Sequence, residues 1–391
     1  MSRTEQAHRY SETEEQQALR SAVADFAAKY GSSYWLTKAR ADERTTELWA
    51  EAGALGYLGA NIPEEYGGGG GGIAELAIVC EELAAAGCPL LMIVVSPAIA
   101  GTIIAQSGTE EQKTAWLPGL ADGTAKLAFA ITESDAGTNS HNLATVARRD
   151  NDGWILNGRK TYISGVDESD AVLVVGRSED ERTGRLRPAL FIVPRDTPGF
   201  EWKPIEMDVT APEEQYACFF DDVDLPAEAL VGGDVAGLDQ LFAGLNPERI
   251  TIAAYANGIA RYALAKASAY AKERRVWDVP IGAHQGVAHP LAEAAIQVEL
   301  ARLITSKAAA LHDAGDKAAG EAANMAKLAS ADAALLALDR AIQAHGGNGL
   351  ASEYDLAAYW GVLRVARIAP VSREMILNYV AQHTLGLPRS Y

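Results

Sequence analysis

Apolar residues recur at helical spacing through the first third of the chain, as from Glu75 to Ala86, in an Ala- and Glu-rich stretch running from Glu14 to about Leu120. From about Lys126 to Gly232 the pattern shortens. Leu127–Ile131, Trp154–Leu156, Ala171–Val175, Ala189–Val193 and Tyr216–Phe220 are strand-length runs with β-branched or aromatic residues. Asp150-Asn151-Asp152-Gly153 between two such runs reads as a hairpin turn. After Gly237 helical spacing returns. Asn246 and Pro247 suit an N-cap and first helical position for a long helix toward Arg275; alternatively, a helix begun near Leu238 passes through Pro247 with a kink. Further helices are predicted over Leu291–Ala314, Lys317–Ala344 and Pro370–His383, the second stopped by His345-Gly346-Gly347-Asn348-Gly349.

The pattern predicts an α+β chain in three blocks: an N-terminal helical domain over residues 1–122, a middle, antiparallel β domain over 123–235, and a C-terminal helical bundle over 236–391. Such a sheet needs its faces covered, and the flanking helices are the cover. A length of 391 residues is too great for one ordinary core and suits two or three packed units. The six glycines Gly67–Gly72, after Pro63, predict a turn and a mobile loop. The apolar run Pro89–Ile104 is interrupted by Ser96, Pro97 and Gly101 and is short for a membrane span, so burial in a core is expected.

Charge narrows the partners. With 34 basic and 52 acidic residues the formal charge is -18, a field that disfavours nonspecific binding to nucleic acid or anionic membrane. Cys80, Cys88 and Cys218 fall in no metal-ligand spacing and form no disulfide framework, so no metal site is expected and buried thiols in a reducing compartment are. Met1–Tyr10 is polar and lacks the apolar core of a secretory leader, which makes the cytoplasm the default location. No dinucleotide-type glycine fingerprint stands at a strand-to-helix junction, which argues against NAD.

The densest chemical signal is Ala130-Ile131-Thr132-Glu133-Ser134-Asp135-Ala136-Gly137-Thr138-Asn139. It leaves a strand and turns through small and hydroxylated residues, offering amides and hydroxyls to a polar ligand. This segment closely resembles the flavin-binding signature of the acyl-CoA dehydrogenase family, with Ser134 where Pro or Gly is usual. Lys160-Thr161-Tyr162-Ile163-Ser164-Gly165 resembles the family's second flavin strand. The resemblance implies FAD as cofactor, with Thr132 bonded to the flavin ring, Thr138 near the pyrophosphate, Tyr162 packed beside the ring and Ser164 near N5. Arg274-Arg275-Val276-Trp277-Asp278-Val279-Pro280, followed by His284-Gln285, resembles the segment that reaches the FAD of a neighbouring subunit. It assigns Arg274 to the pyrophosphate, Trp277 to the usual Phe position and Gln285 to a further contact. Gln343-Ala344-His345-Gly346-Gly347 resembles the other such segment, with Gln343, Gly346 and Gly347 at the cofactor. Pro63–Gly68 and Phe219–Pro226 extend the likeness to nearly the whole chain. By the same likeness the protein is a homotetramer, a dimer of dimers with FAD at a subunit interface. It oxidises an acyl-CoA in fatty acid metabolism and passes electrons to an electron-transferring flavoprotein.

The reaction needs a carboxylate to take the proton alpha to the thioester carbonyl while hydride leaves the beta carbon for flavin N5. Most family members carry that Glu near the C-terminus. Here the matching stretch is Arg367-Ile368-Ala369-Pro370-Val371-Ser372, and neither Pro370 nor its neighbours is an acid. Pro370 also lacks the N–H that the family commonly directs at the thioester carbonyl. Leu245-Asn246-Pro247-Glu248-Arg249-Ile250 resembles the alternative site of isovaleryl-CoA and long-chain acyl-CoA dehydrogenases. It makes Glu248 the expected base and Arg249 a substrate contact. As a first-turn residue Glu248 would have its pKa lowered by the helix dipole and raised by burial, and sequence leaves the balance open. Leu91–Ile99 and Ile250–Tyr255 are expected to line the acyl pocket. The alternatives are a non-oxidative elimination or desulfination of an acyl-CoA, or a nitroalkane oxidase-like reaction.

Overall fold

The computed structural model describes residues 12–139, 142–179, 184–233 and 238–389. Met1–Tyr10, read above for a leader, lies outside them. Among the described residues four α-helices come first: α1 (Glu14–Ala27), α2 (Gly31–Arg40), α3 (Thr46–Ala54) and α4 (Ile73–Ala85). Thr13 caps α1, its hydroxyl accepting from Gln16 N–H while the Gln16 side chain returns to Thr13 N–H. The apolar run then forms α5 (Leu91–Ile93), a π-helical stretch Val94–Gly101 containing Pro97, and α6 (Thr102–Ser107). Every residue from Val94 to Gly101 is buried, so the run is core, as its interruptions predicted. Helix α7 (Glu110–Asp122) completes the block.

The glycine run contradicts its sequence reading as a mobile loop. Gly69, Gly70 and Gly71 donate to the carbonyls of Gly59, Ile62 and Ala60 at 2.9, 2.9 and 3.1 Å. A Cβ on Gly68 would sit 2.1 Å from the Ile62 carbonyl oxygen. At Gly68 and Gly71 the backbone folds back too closely for a side chain, Gly67 and Gly70 take positive φ, and each amide of the run finds a partner. Its end feeds α4, whose first amides, Ile73 and Ala74, donate to Asp313 at 2.8 and 2.9 Å.

Strands β1 (Leu127–Ala130), β2 (Val146–Asp150), β3 (Gly153–Ser164), β4 (Ala171–Glu179), β5 (Leu186–Pro194), β6 (Phe200–Ile205) and β7 (Gln215–Leu225) form one sheet in the order β1-β4-β2-β3-β7-β6, with β5 also on β4. The predicted hairpin at Asp150–Gly153 joins β2 to β3. The sheet is not purely antiparallel. β1 and β2 both run parallel to β4, because the chain between β1 and β2 crosses over instead of turning back. Alternation along β1 and β4 sends Leu127, Phe129, Leu173 and Val175 into the helical core, and Ala128, Ala130, Val172 and Val174 into a second core within the β block. The sheet is thus seated on the helices by one face.

The C-terminal block holds α8 (Leu238–Glu273), the hairpin β8 (Arg275–Val276) and β9 (Val279–Pro280), α9 (Gln285–Asp313), α10 (Ala319–His345), α11 (Trp360–Ile368) and α12 (Arg373–Tyr379). Of the two readings for the first helix, the longer is observed, with Pro247 inside it. The predicted last helix starts at Arg373 rather than Pro370, with Ser372 Oγ accepting from Met375 N–H at 3.3 Å as its cap. A buried charge network ties the blocks: Glu81 and Glu82 of α4 meet Arg20 of α1, Arg261 of α8 and Arg302 of α9. The three cysteines are unpaired and buried. Among the described residues no helix is long and apolar enough to cross a membrane, and no His, Cys, Asp and Glu cluster could hold a metal.

Candidate active site

The two segments that resemble flavin-binding strands lie side by side. Thr161 N–H donates to the Thr132 carbonyl at 2.9 Å. Lys160, whose side chain is fully buried, donates from Nζ to the Ile131 carbonyl at 2.9 Å and to Glu133 Oε1 at 2.8 Å. Glu133 also accepts the amides of Ala144 and Thr145 at 2.6 and 3.0 Å. Burial lowers the Lys160 pKa to about 8, against the pull of Glu133. This pair locks the Thr132 loop onto β3.

Two residues past Lys160 the pairing of β3 with β7 slips by one residue, and Tyr162 takes a φ of 57°. The bulge turns its ring outward, 59% exposed, on a strand whose next residue, Ile163, is buried. An exposed aromatic in a left-handed conformation stands where a flat ligand can pack. Ser164 follows, half-buried, receiving Gln215 Nε2 at 2.9 Å. Thr138 is exposed. The structure therefore brings Thr132, Tyr162 and Ser164 together.

The remaining cofactor candidates gather elsewhere. At the end of α8 the Tyr270 ring stacks on His345 of α10 at 4.2 Å, which places the Arg274 and Gln343 segments beside each other. Trp277 and Asp278 are the central residues of the β8–β9 hairpin, with φ of 49° and 63°, the signs of a type I′ turn. The turn is closed by Arg275, donating to the Asp278 carbonyl at 2.9 Å, while Arg274 is exposed and its guanidinium has no partner among the described residues. Trp277 is 84% exposed. Gln285 opens α9, and Gln343, Gly346 and Gly347 are exposed, the two glycines with nothing within 4 Å of a would-be Cβ. No hydrogen bond or ion pair among the described residues joins this cluster to the Thr132–Ser164 cluster.

Glu248 lies about three turns into α8, not in its first turn. The helix dipole acts within the first turn only, so its opposition, raised above, falls away. Glu248 is partly accessible, yet enough protein surrounds its carboxyl that desolvation raises the pKa to about 7, with Arg249 and Lys327 pulling the other way. Burial lowers the pKa of Arg249, which Glu248 opposes. Arg249 donates from Nη1 to Asn246 Oδ1 at 3.0 Å and keeps a buried Nε without a hydrogen-bond partner. Across from them Lys327 Nζ donates to the carbonyls of Arg367 and Val371 at 2.9 and 2.7 Å. Of the pocket segments, Val94–Gly101 packs on α8, where a Cβ on Gly244 would come 3.0 Å from Ile99.

Besides the Glu81–Glu82 network, two further buried ionisable residues escaped the sequence reading. Lys327 stands among buried alanines of α10, a charge in an apolar stripe, which was a usable signal. Glu213, in the β6–β7 connection, left none. One oxygen accepts Leu91 N–H at 3.0 Å, the other is buried without a partner, and desolvation raises its pKa to about 7.

Three family models match along the chain: acyl-CoA dehydrogenase N-terminal domain over residues 13–124, middle domain over 128–223 and C-terminal domain over 236–385. The chain belongs to the acyl-CoA dehydrogenase family. It is 62% identical to acyl-CoA dehydrogenase FadE12 of Mycobacterium tuberculosis over 383 residues, 98% of this chain and 99% of that protein. It is 32% identical to the mitochondrial long-chain specific acyl-CoA dehydrogenase of Sus scrofa, over 88% of this chain and 80% of the other. Among solved structures, a glutaryl-CoA dehydrogenase of Mycobacterium smegmatis in complex with FADH2 superposes with a TM-score of 0.90 at 27% identity, covering 98% of this chain and 97% of that one.

Proposed function

We propose that this chain is an FAD-dependent acyl-CoA dehydrogenase that converts an acyl-CoA thioester to the 2-enoyl-CoA, with Glu248 as the base. The observation that carries the reading is the Glu248 carboxyl, raised to about 7 beside Arg249, in a chain with no acid from Ala369 to Val371. A base poised near neutrality is substantially ionised at working pH and still basic enough to accept a carbon-bound proton. The Cα–H bond breaks, the proton passes to the Glu248 carboxylate, and Arg249 borders the thioester.

The residues present fit FAD. Tyr162 offers an exposed face to a flat ring, Thr132 and Ser164 offer hydroxyls beside it, and Thr138 lies on the loop that would meet the pyrophosphate. Arg274, Trp277, Gln285, Gln343, Gly346 and Gly347 form a second open surface, suited to the cofactor of a neighbouring subunit. When bound, FAD supplies the acceptor for the beta hydrogen and its electron pair. Ile296, Leu300 and Leu303 are exposed at i, i+4 and i+7 on α9, an apolar stripe that offers a face for self-association, as a homotetramer requires; a solution mass by light scattering near that of one chain or two would refute the tetramer. An electron-transferring flavoprotein as acceptor and a cytoplasmic location complete the reading.

The test is Glu248→Gln. The variant should keep FAD content and acyl-CoA affinity but lose flavin bleaching by acyl-CoA at least a thousandfold, measured anaerobically with a chain-length panel. Retained rapid bleaching removes Glu248 as the base.

A further inference from the structure

Ser164 closes β3 and Gln215 opens β7, and the two face each other across the ladder. Both are half-buried, and Gln215 is the only hydrogen-bond partner of the Ser164 hydroxyl among the described residues. That oxygen lies 2.9 Å from Gln215 Nε2 and 3.1 Å from Gln215 Oε1. Both ends of one amide stand on the same side of it, whereas the proton and lone pairs of a hydroxyl are set tetrahedrally, so only one of the two bonds can be well aligned. Length decides between them. The 2.9 Å contact has the ordinary length of an N–H···O bond, while 3.1 Å is long for O–H···O, which centres near roughly 2.7–2.8 Å. Gln215 therefore donates, Ser164 accepts, and the one proton of Ser164 is left for another acceptor.

This rung is held from both sides. Gly165 N–H donates to the Glu214 carbonyl at 3.0 Å, one residue further along each strand. Arg44, in the α2–α3 connection, reaches across from the helical block: Nε donates to Asp167 Oδ2 at 2.7 Å and Nη1 to the Pro212 carbonyl at 2.6 Å. A rung ordered in advance costs a ligand less entropy to use. A serine alone could turn its proton to any acceptor in reach, water included, and the amide removes that choice. We propose that Gln215 is a positioning residue for the cofactor: by donating to Ser164 Oγ it fixes that hydroxyl as a donor and presents its proton to an acceptor atom on the edge of the flavin ring. This rests on the reading of the Thr132–Ser164 cluster as the flavin site.

The experiment is a double-mutant cycle on FAD binding. Apoproteins of the wild type, Gln215→Met, Ser164→Ala and the double variant are titrated with FAD; the dissociation constant is read from flavin fluorescence and the visible absorption spectrum of each complex is recorded. Gln215→Met should weaken FAD binding about fivefold, the equivalent of one ordinary hydrogen bond, and shift the flavin band, and should do neither once Ser164 is alanine. Weakening by the same factor in both backgrounds makes Gln215 a strand contact only and overturns the proposal, as does no weakening in either. If Gln215→Met does not fold, Gln215→Glu carries the test: it keeps the shape, but its carboxylate takes the Ser164 proton instead of giving one. Its weakening should be smaller in the Ser164→Ala background, and equal weakening overturns the proposal in the same way. Ser164→Ala with wild-type affinity and spectrum would instead remove Ser164 from the flavin site, so the two failures are distinguishable.

Discussion

Replacing Lys160 with Met should damage this protein more than replacing both Lys160 and Glu133. The ammonium is wholly buried, bonded to Glu133 and to the Ile131 carbonyl, and Glu133 is 8% exposed. Removing one partner of a buried ion pair costs about 3–5 kcal/mol because the other charge is left uncompensated. Two amides still bond Glu133, from Ala144 and Thr145, so the lower end, about 3 kcal/mol, is expected. That is a large share of the stability of a typical domain, roughly 5–15 kcal/mol. Lys160→Met, Glu133→Gln removes both charges and should recover about half of the loss. The assay is a urea midpoint by circular dichroism, run beside FAD stoichiometry, since the pair fixes the Thr132 loop. A single variant with an unchanged midpoint and full FAD, or a double variant worse than the single, would refute the argument that this pair anchors the loop.

Glu213 sets a pH effect on stability. Its pKa is raised from 4.5 to about 7 by burial, so the folded chain holds a proton that the unfolded chain releases, and stability falls as pH rises through that window. Glu213→Gln should therefore gain on the wild type by up to about 3 kcal/mol between pH 5 and pH 8, measured by denaturant unfolding; a gap constant with pH contradicts this. Gly68→Ala should lower the melting temperature by an amount equivalent to about 1–3 kcal/mol, since its Cβ meets the Ile62 carbonyl at 2.1 Å. A free loop would accept the alanine without change.

The three-block organisation was legible because period and composition change together near Lys126 and again after Gly237. The parallel pairs of β1 and β2 with β4 were not, because strand direction depends on a crossover whose path no local pattern encodes. The glycine run was misread for a similar reason. Local entropy argues for mobility, and only tertiary contact shows amides satisfied by Gly59, Ala60 and Ile62. At the candidate site, Glu248 was found through its neighbours in sequence, but its raised pKa comes from desolvation by the surrounding fold, which no local pattern encodes. Tyr162 was named by resemblance; the bulge that exposes it needed β7.

Helix α8 works as a ruler. At about 1.5 Å per residue, the rod from Glu248 to its end at Glu273 spans roughly 38 Å, and Arg274 begins where it stops. Under the proposed assignments one unbroken element sets the spacing between the base of one site and the phosphate contact offered to another. One residue inserted between them would swing the hairpin and Arg274 by about 100° around the helix axis and advance them by 1.5 Å. Substitutions along this stretch are limited by its burial, as at Gly258, but an insertion is limited by spacing as well, so under these assignments the length of α8 is a constraint separate from its packing.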